Sequence, residues 1–505
     1  MRFTLLDNKL IPEPLLSTHK RYENKLSSLF PLFHFKHLPI QPLNQTFPFN
    51  KKMQSFIAGK QLTLAEIPFS LKTIHHHYEQ GYLIYRHGVY VKDKKFICGR
   101  CRNQHQQKFA SFYCIRCRGR CTYCRECVMM GRVSSCTPLI SWIGPTPTRD
   151  FAKSPLCWSG TLSEGQRTAS ECVVRSIQLN EELLVWAVCG AGKTEVLFSG
   201  IESALIAGKR VCIATPRTDV VIELTPRLQA AFPTVTIASL YSGSSDFHQN
   251  APITISTTHQ LLRFYQAFDA VILDEVDAFP YSVDETLQRA VHQARKKTSS
   301  LIYLSATPNQ KWQRECRLKK RKFITIPARY HRHSLPIPYF AWCGNWQKQL
   351  TKNKLPQNIL NWIKTRLKLN KPTLLFCPTI NVMEAVRLLL HKFQIKVEAV
   401  HAEDPERKEK VQLMRNGDVS MLLTTTILER GVTFPNLDVA ILGAEDPIFT
   451  ESALIQIAGR VGRSADFPEG DIVFFHFGKT EAMVNARKKI IEMNRGGIQR
   501  GLIDK

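Results

Sequence analysis

The sequence predicts two parallel-sheet α/β lobes preceded by a small cysteine-rich metal-binding domain. Three observations carry that expectation. β-rich apolar runs alternate with helical patterns from about residue 160, a second such series follows residue 370, and eight of the fifteen cysteines lie between 98 and 136. With 505 residues and 44% hydrophobic content the chain can bury several cores. No apolar run approaches the roughly 18 residues of a membrane span, and MRFTLLDNKLIPEPLL lacks a signal-peptide core, so a soluble cytoplasmic protein with reduced thiols is expected.

Residues 1–95 mix short apolar runs with Pro and His and display no chemistry of their own. Adjacent side chains cannot all face one ion, so His75, His76 and His77 read as solvated surface. The next segment, 96–140, carries Cys98, Cys101, Cys114, Cys117, Cys121, Cys124, Cys127 and Cys136. The first two pairs read C-x2-C-x12-C-x2-C, a spacing that lets two knuckles fold back and close one tetrahedral Zn²⁺ site. The other four can close a second site, with several pairings open. Arg100, Arg102, Arg116, Arg118, Arg120, Arg125 and Arg132, with Phe112 and Tyr113, are interleaved with these cysteines. They predict a basic, aromatic platform for nucleic acid, the alternative being a zinc that only staples a small fold. The net charge of +27 agrees with the platform: residues 1–150 hold 23 Lys/Arg against 8 Asp/Glu, or +15, which leaves +12 for the other 355 residues.

GPTPTRDFAKSP reads as a linker into the first lobe, 155–310, with strands at LLVWAV, RVCIAT, AVILDE and SLIYLSA. The first of these runs into CGAGKT. A turn of small residues, Gly190, Ala191 and Gly192, directs backbone N–H groups at one small volume, with a helix from Lys193 carrying Val196, Leu197, Ile201, Ala204 and Leu205 on one face. That volume suits a polyphosphate: Lys193 would reach the β/γ-phosphates and Thr194 would ligate Mg²⁺. In VILDEVDAF, Asp274 at the strand end would hold the Mg²⁺ water shell and Glu275 would polarise the attacking water. A basic connector, 311–345, has nine Lys/Arg and one Glu in its first 22 residues. The second lobe, 346–505, brings strands at TLLFCPT, KVEAV, MLLTTT, DVAILG and DIVFFHF. It also carries ALIQIAGRVGR, where Arg460 and Arg463 are expected three apart on one helical face, after Gln456, to neutralise charge on the γ-phosphate.

In this order, LSEGQ, GAGKT, ATPR, STTHQLL, DEVD, SATP, LLFCPT, TTTILERGVTFP and QIAGRVGR resemble the motifs of the superfamily 2 helicase and translocase ATPases. The resemblance implies RecA-like lobes, ATP as substrate and Gln166 at the adenine. It further implies Thr215, Arg217, Thr258 and Thr424 along a nucleic-acid track, Ser305 and Thr307 coupling that track to the nucleotide, and Gly431 near the cleft. Two positions depart from it: Ala187 replaces the first loop glycine, and Asp277 stands where several relatives have His. The cysteine block ahead of the ATPase, with CTYCREC, MGRV and VDAFP, resembles the ComFA family of bacterial competence proteins. The replication-restart helicase PriA is similar too, but its cysteines interrupt the helicase part, whereas here they precede Gln166. Membership of the ComFA family implies a motor on single-stranded DNA, helping to draw transforming DNA through the ComEC channel from the inner face of the cytoplasmic membrane. ComFC and DprA are the partners so implied. An RNA helicase and a non-hydrolysing, nucleotide-switched DNA adaptor are the remaining alternatives.

Overall fold

The computed structural model describes all residues except 19–28, 148–150, 152–153, 247–248, 430–432 and 505. The chain forms two units. One holds Met1–Ser159, Val174–Glu182 and Phe198–Tyr303; the other holds Gly160–Val173, Leu183–Leu197 and Leu304–Lys505.

In the first unit, strand Pro138–Trp142 lies between Leu62–Thr63 and Leu83–His87 in an antiparallel sheet. The cysteine-bearing residues are therefore looped out between two neighbouring strands. Helices Lys51–Ile57 and Leu71–Glu79 are capped by the Asn50 and Ser70 side chains, which accept from the third helical N–H. Around this sheet Met53, Phe56, Ile74, Tyr78, Tyr82 and Trp142 form one apolar core with Phe3 and Leu10 of the N-terminal hairpin. The histidine run belongs to that core, contrary to the surface expected. His75 and His77 are 5% and 4% exposed, and only His76 faces outward. His77 donates from Nδ1 to the Thr73 carbonyl at 2.8 Å and accepts at Nε2 from the Asn50 N–H at 3.0 Å, which holds the ring neutral. Triple-histidine composition hides this because a helix sends adjacent residues to different faces.

The same unit contains five parallel strands in the order Ile237–Leu240, Ile253–Thr257, Val211–Thr215, Phe268–Leu273 and Arg295–Ser305, the last of which ends in the second unit. Its strands are buried almost throughout, as expected of a parallel sheet covered on both faces.

In the second unit Glu182–Ala187 pairs in parallel with Phe323–Ile326. Six further parallel strands follow the order Tyr339–Trp342, Ile472–His476, Asp438–Leu442, Thr373–Phe376, Met421–Thr424 and Glu398–Val400. Leu375, Leu423, Leu442, Phe475 and Trp346 share its core with Met383 and Leu390 of helix Ile380–Lys392. The basic connector is more ordered than its charge suggested. It contains helix Gln310–Arg317, the paired strand Phe323–Ile326 and an extended run that Asn494 holds by two 2.8 Å bonds to the Leu335 backbone. Apart from the buried Arg329, its lysines and arginines are exposed or half-exposed, so composition reports the solvent side and conceals a four-residue strand. The architecture is thus two RecA-like lobes of parallel sheet preceded by a cysteine-rich module. Among the described residues no helix is long and apolar enough to cross a membrane.

Candidate functional site

The Cys189–Gly192 loop, expected to cradle phosphate, follows the C-terminal end of strand Glu182–Ala187, the edge where parallel sheets bind ligands. Gly190 and Gly192 have φ of 82° and 69°, left-handed values that allow the chain to turn around a small volume. Ala187 is fully buried in the strand, which accounts for the tolerance of alanine in place of the first loop glycine. The helix from Lys193 is interrupted at Leu197 and resumes at Phe198, while Val196, Leu197, Ile201, Ala204 and Leu205 are buried as the spacing predicted. Lys193 and Thr194 are half-buried at the loop's end. Gln166 is 2% exposed, and its amide donates to the carbonyls of Ala191 at 2.9 Å and Gly192 at 3.4 Å while accepting from the Ser163 N–H at 2.8 Å. Its side chain therefore braces the loop backbone.

Within the same unit the loop touches the segment carrying Gln456. The Cys189 thiol donates to Gln456 Oε1 at 3.0 Å, and a Cβ added at Gly459 would lie 2.5 Å from Cys189 Cβ. Gln456 Nε2 reaches Thr307 Oγ1 at 3.5 Å; that hydroxyl meets Ser452 Oγ at 2.7 Å; and the Thr307 N–H donates to Ser305 Oγ at 3.0 Å. One hydrogen-bonded run therefore connects Ser305 and Thr307 with the phosphate loop. The two arginines depart from the expected helical face. Helix Glu451–Ala458 is capped by Gly459, so Arg460 and Arg463 lie in the turn beyond it, where Gly462 has φ 68°. Arg460 is 1% exposed and donates from Nε to the Glu429 carbonyl at 2.8 Å. Arg463 is half-buried and donates from Nε to the Gly459 carbonyl at 2.9 Å. The glycines that end the helix were visible in AGRVGR; their helix-breaking outweighs the apolar period of ALIQIA.

In the first unit Asp274 follows strand Phe268–Leu273, its N–H bonded to the Ala214 carbonyl at 2.8 Å and its Oδ1 accepting from the Glu275 N–H at 2.8 Å. Glu275 has φ 54°, a conformation costing a non-glycine residue about 1 kcal/mol or more and concentrated at functional sites. Thr215 and Thr258 are fully buried, joined by a 2.9 Å backbone bond, and Arg217 is paired with Asp219 at 2.7 Å. In the second unit Thr424 is also fully buried, its hydroxyl donating to the Val400 carbonyl at 3.1 Å. These threonines occupy C-terminal strand ends and turn their hydroxyls inward. Gly431 lies outside the described residues.

All eight cysteines of the module are buried and converge on two points. The quartets are Cys98, Cys101, Cys124, Cys127 and Cys114, Cys117, Cys121, Cys136, with sulfurs in each within 4.8 Å of one another. The 98/101 pair thus joins 124/127 and not the 114/117 pair that its spacing allowed. Strand Phe109–Cys114 pairs with Gly119–Cys124 in a hairpin that sets Cys114 against Gly119 and Phe109 against Cys124. Cys121 and Cys124 are three strand residues apart, about 10 Å, so they serve opposite ends of the hairpin. A zinc tetrahedron with Zn–S of about 2.3 Å has S···S edges of about 3.8 Å. Cys98–Cys127, Cys101–Cys124 and Cys114–Cys136 stand at 3.8, 3.6 and 3.7 Å, and Cys117–Cys121 is tighter at 3.0 Å, so four-thiolate ligation of zinc fits. Around them Arg116, Arg118, Arg120, Arg125 and Arg132 are exposed, Arg132 lies 4.6 Å above the Phe112 ring, and Tyr113 is 71% exposed. Arg100 does not join this surface. It is fully buried and donates to the carbonyls of Met130 at 2.7 Å and Cys127 at 2.6 Å, closing the loop that carries Cys127.

Comparison with known proteins decides the family. Residues 44–141 match the competence protein ComFA N-terminal domain, 159–310 the type III restriction enzyme res subunit, and 352–465 the helicase conserved C-terminal domain. The chain is 49% identical to competence protein ComFA of Bacillus subtilis over 90% of this chain and 97% of that protein. The chain belongs to the ComFA family. Competence protein ComFA of Streptococcus pneumoniae is 41% identical over 74% of this chain and 86% of its own length. Replication restart protein PriA of Rickettsia prowazekii is 23% identical over 60% of each chain. The chain is accordingly a helicase-type ATPase of the competence system, with helicase domains that imply nucleotide with Mg²⁺ and cysteine quartets able to hold zinc.

Three further residues of the chain carry no signal in the sequence. Ser452 joins the Thr307 run, and Arg329 binds the phosphate loop from within the supposed connector. Gln61, 1% exposed, receives Arg86 and Gln293 at 3.0 and 2.8 Å and donates to the carbonyls of Arg100 and Leu262 at 3.0 and 3.1 Å. It thereby joins the N-terminal sheet, the cysteine module and the STTHQLL motif. A lone Gln in FIAGKQLTL gives no periodic cue.

Proposed function

We propose that this protein is an ATP-driven motor on single-stranded DNA that assists uptake of transforming DNA. The observation that carries the proposal is the hydrogen-bonded run from Cys189 through Gln456 to Thr307, which gives the phosphate loop a direct mechanical link to the segment before Arg460 and Arg463. In this reading Lys193 and the glycine turn hold the phosphates, with Gln166 fixing the loop that meets the nucleotide. Thr194 and Asp274 would hold Mg²⁺, which would supply positive charge to offset that of the phosphates. Glu275 orients and deprotonates the attacking water, and Arg463 meets the charge developing on the γ-phosphate. Loss of the γ-phosphate weakens the link at the loop, and Ser305 and Thr307 pass the change to the strand ends where Thr215, Thr258 and Thr424 position backbone along the DNA track.

The exposed arginines and Tyr113 of the two-zinc module add a basic, stacking surface, giving sequence-tolerant and strongly salt-dependent binding. ComFC, DprA and the ComEC channel are the partners proposed, with peripheral attachment at the cytoplasmic face of the membrane.

The test is ATP turnover with and without single-stranded DNA, and with matched RNA, for the wild type and Glu275→Gln. DNA stimulation with a loss of roughly 10²–10⁴-fold in the variant supports the motor. Equal rates in all samples would sink it, tight nucleotide binding without turnover would favour a switched adaptor, and preferential stimulation by RNA would make it an RNA motor.

A further inference from the structure

Arg329 is one of the largest fully buried side chains, at 1% exposure, and it sits in the second unit just after strand Phe323–Ile326. Its guanidinium spreads over three backbone carbonyls. Nε donates to Cys189 in the phosphate loop at 3.2 Å, Nη2 to Gly459 at 3.3 Å, and Nη1 to Gly462. Its stem and Nε would lie 3.5–3.6 Å from a Cβ at Gly190. His331 adds a donor to the same Gly462 carbonyl at 3.1 Å, with Nδ1 accepting from the His333 N–H at 3.2 Å.

Burial pushes the guanidinium down to about 10, and Arg463 nearby pushes the same way. Among the described residues its hydrogen-bond partners are backbone carbonyls and include no carboxylate. A buried cation held by neutral carbonyls is an expensive way to fill a core, and an apolar side chain would fill it at lower cost. What an apolar side chain could not do is span the gap between the loop and both ends of the turn that carries Arg460 and Arg463. A planar fork reaches three diverging acceptors; an ammonium cannot.

We propose that Arg329 is a positioning residue for ATP turnover, its guanidinium fixing the Gly459–Arg463 turn against the phosphate loop so that Arg463 meets the γ-phosphate. This rests on the reading of the Lys193 loop as the nucleotide site. Among the described residues Arg329 hydrogen-bonds to backbone carbonyls, and it acts through the turn.

The experiment measures kcat and KM for ATP with single-stranded DNA, alongside thermal midpoints, for Arg329→Ala, Arg329→Lys, His331→Ala and Lys193→Ala. A misplacement of about 1 Å at the turn predicts a fall in kcat of about 10²-fold for both Arg329 variants, with KM within about threefold because the loop glycines and Lys193 are intact. Free guanidinium at millimolar concentration should restore part of the turnover of Arg329→Ala and none of that of Arg329→Lys, a response a merely structural residue would not give. His331→Ala should lose several-fold in kcat at an unchanged midpoint, which keeps the proposal testable should Arg329→Ala fail to fold. The proposal is overturned if Arg329→Lys turns over within about threefold of wild type, or if guanidinium leaves Arg329→Ala unchanged. Lys193→Ala tests the underlying reading separately: retained nucleotide binding and turnover there would remove the phosphate site whatever Arg329 does.

Discussion

Gly459→Ala is the smallest change that should separate the phosphate loop from the arginine turn. The backbone at Gly459 is right-handed, with φ of −65°, so alanine carries no conformational penalty there. The added Cβ would lie 2.5 Å from Cys189 Cβ and 2.8 Å from its Sγ, against the 3.5–4.0 Å at which carbon atoms rest. Cys189 Cβ is fixed to the backbone and cannot rotate away, so about 1 Å of relative displacement is required. Overpacking of this kind costs about 1–3 kcal/mol of stability, and a 1 Å displacement of a charge-stabilising group costs about 10²-fold in rate. The assay is DNA-stimulated ATP turnover at saturating ATP, with the thermal midpoint as control. Cys189→Gly removes both opposing atoms, so the double variant should recover turnover that Gly459→Ala loses, beyond what Cys189→Gly shows alone. Full activity in Gly459→Ala, or no recovery in the double variant, would refute close packing of these segments as the basis of coupling.

The quartets predict selective metal loss: Cys101→Ser and Cys117→Ser should each lower zinc from two ions per chain to one by elemental analysis, and the pair should lower it to none. Gln61→Leu strands two carbonyls, Arg86 and Gln293, and should cost at least about 2 kcal/mol in denaturant unfolding; a change under about 0.5 kcal/mol would show the junction to be loose. Burial lowers the His77 pKa, so the unfolded chain binds the more protons and stability rises with pH. The His77 contribution is fully present above the unfolded value of about 6.5 and is lost as pH falls through the folded one. The difference in thermal midpoint between wild type and His77→Asn should therefore shrink between pH 8 and pH 5.5; a constant difference would count against the neutral, doubly bonded ring.

Local chemistry was legible wherever backbone demands and residue type coincide. The strand before Cys189, the glycines at 190 and 192, and the carboxylates closing VILDE all follow from short-range rules, and the nine strand runs read from apolar texture are strands. The cysteine pairing was not legible, because it depends on hairpin register: once Cys114 faces Gly119, Cys124 is carried to the far end beside Cys98 and Cys101, and sequence spacing alone cannot distinguish that from adjacent closure. Arg329 was hidden for a different reason. Nine basic residues in the connector share one composition, and eight of them report nothing about the ninth, which turns inward because three carbonyls await it.

The same contrast separates what holds the site from what it does. The arginines expected to act at the phosphate were placed by a helical period that the glycines cut short, so Arg460 spends its Nε on the Glu429 carbonyl and only Arg463 retains partial exposure. A turn with left-handed Gly462 has less intrinsic rigidity than a helix face. Something must then supply that rigidity if Arg463 is to arrive at the same point in each cycle. The buried fork of Arg329 on one side of the turn and the Gln456–Thr307–Ser452 run on the other supply it from two directions, and both end at or beside Cys189. In the proposed motor, stiffness at the loop, set by uncharged carbonyls and hydroxyls, is thus the property on which the chemistry of the charged residues would depend.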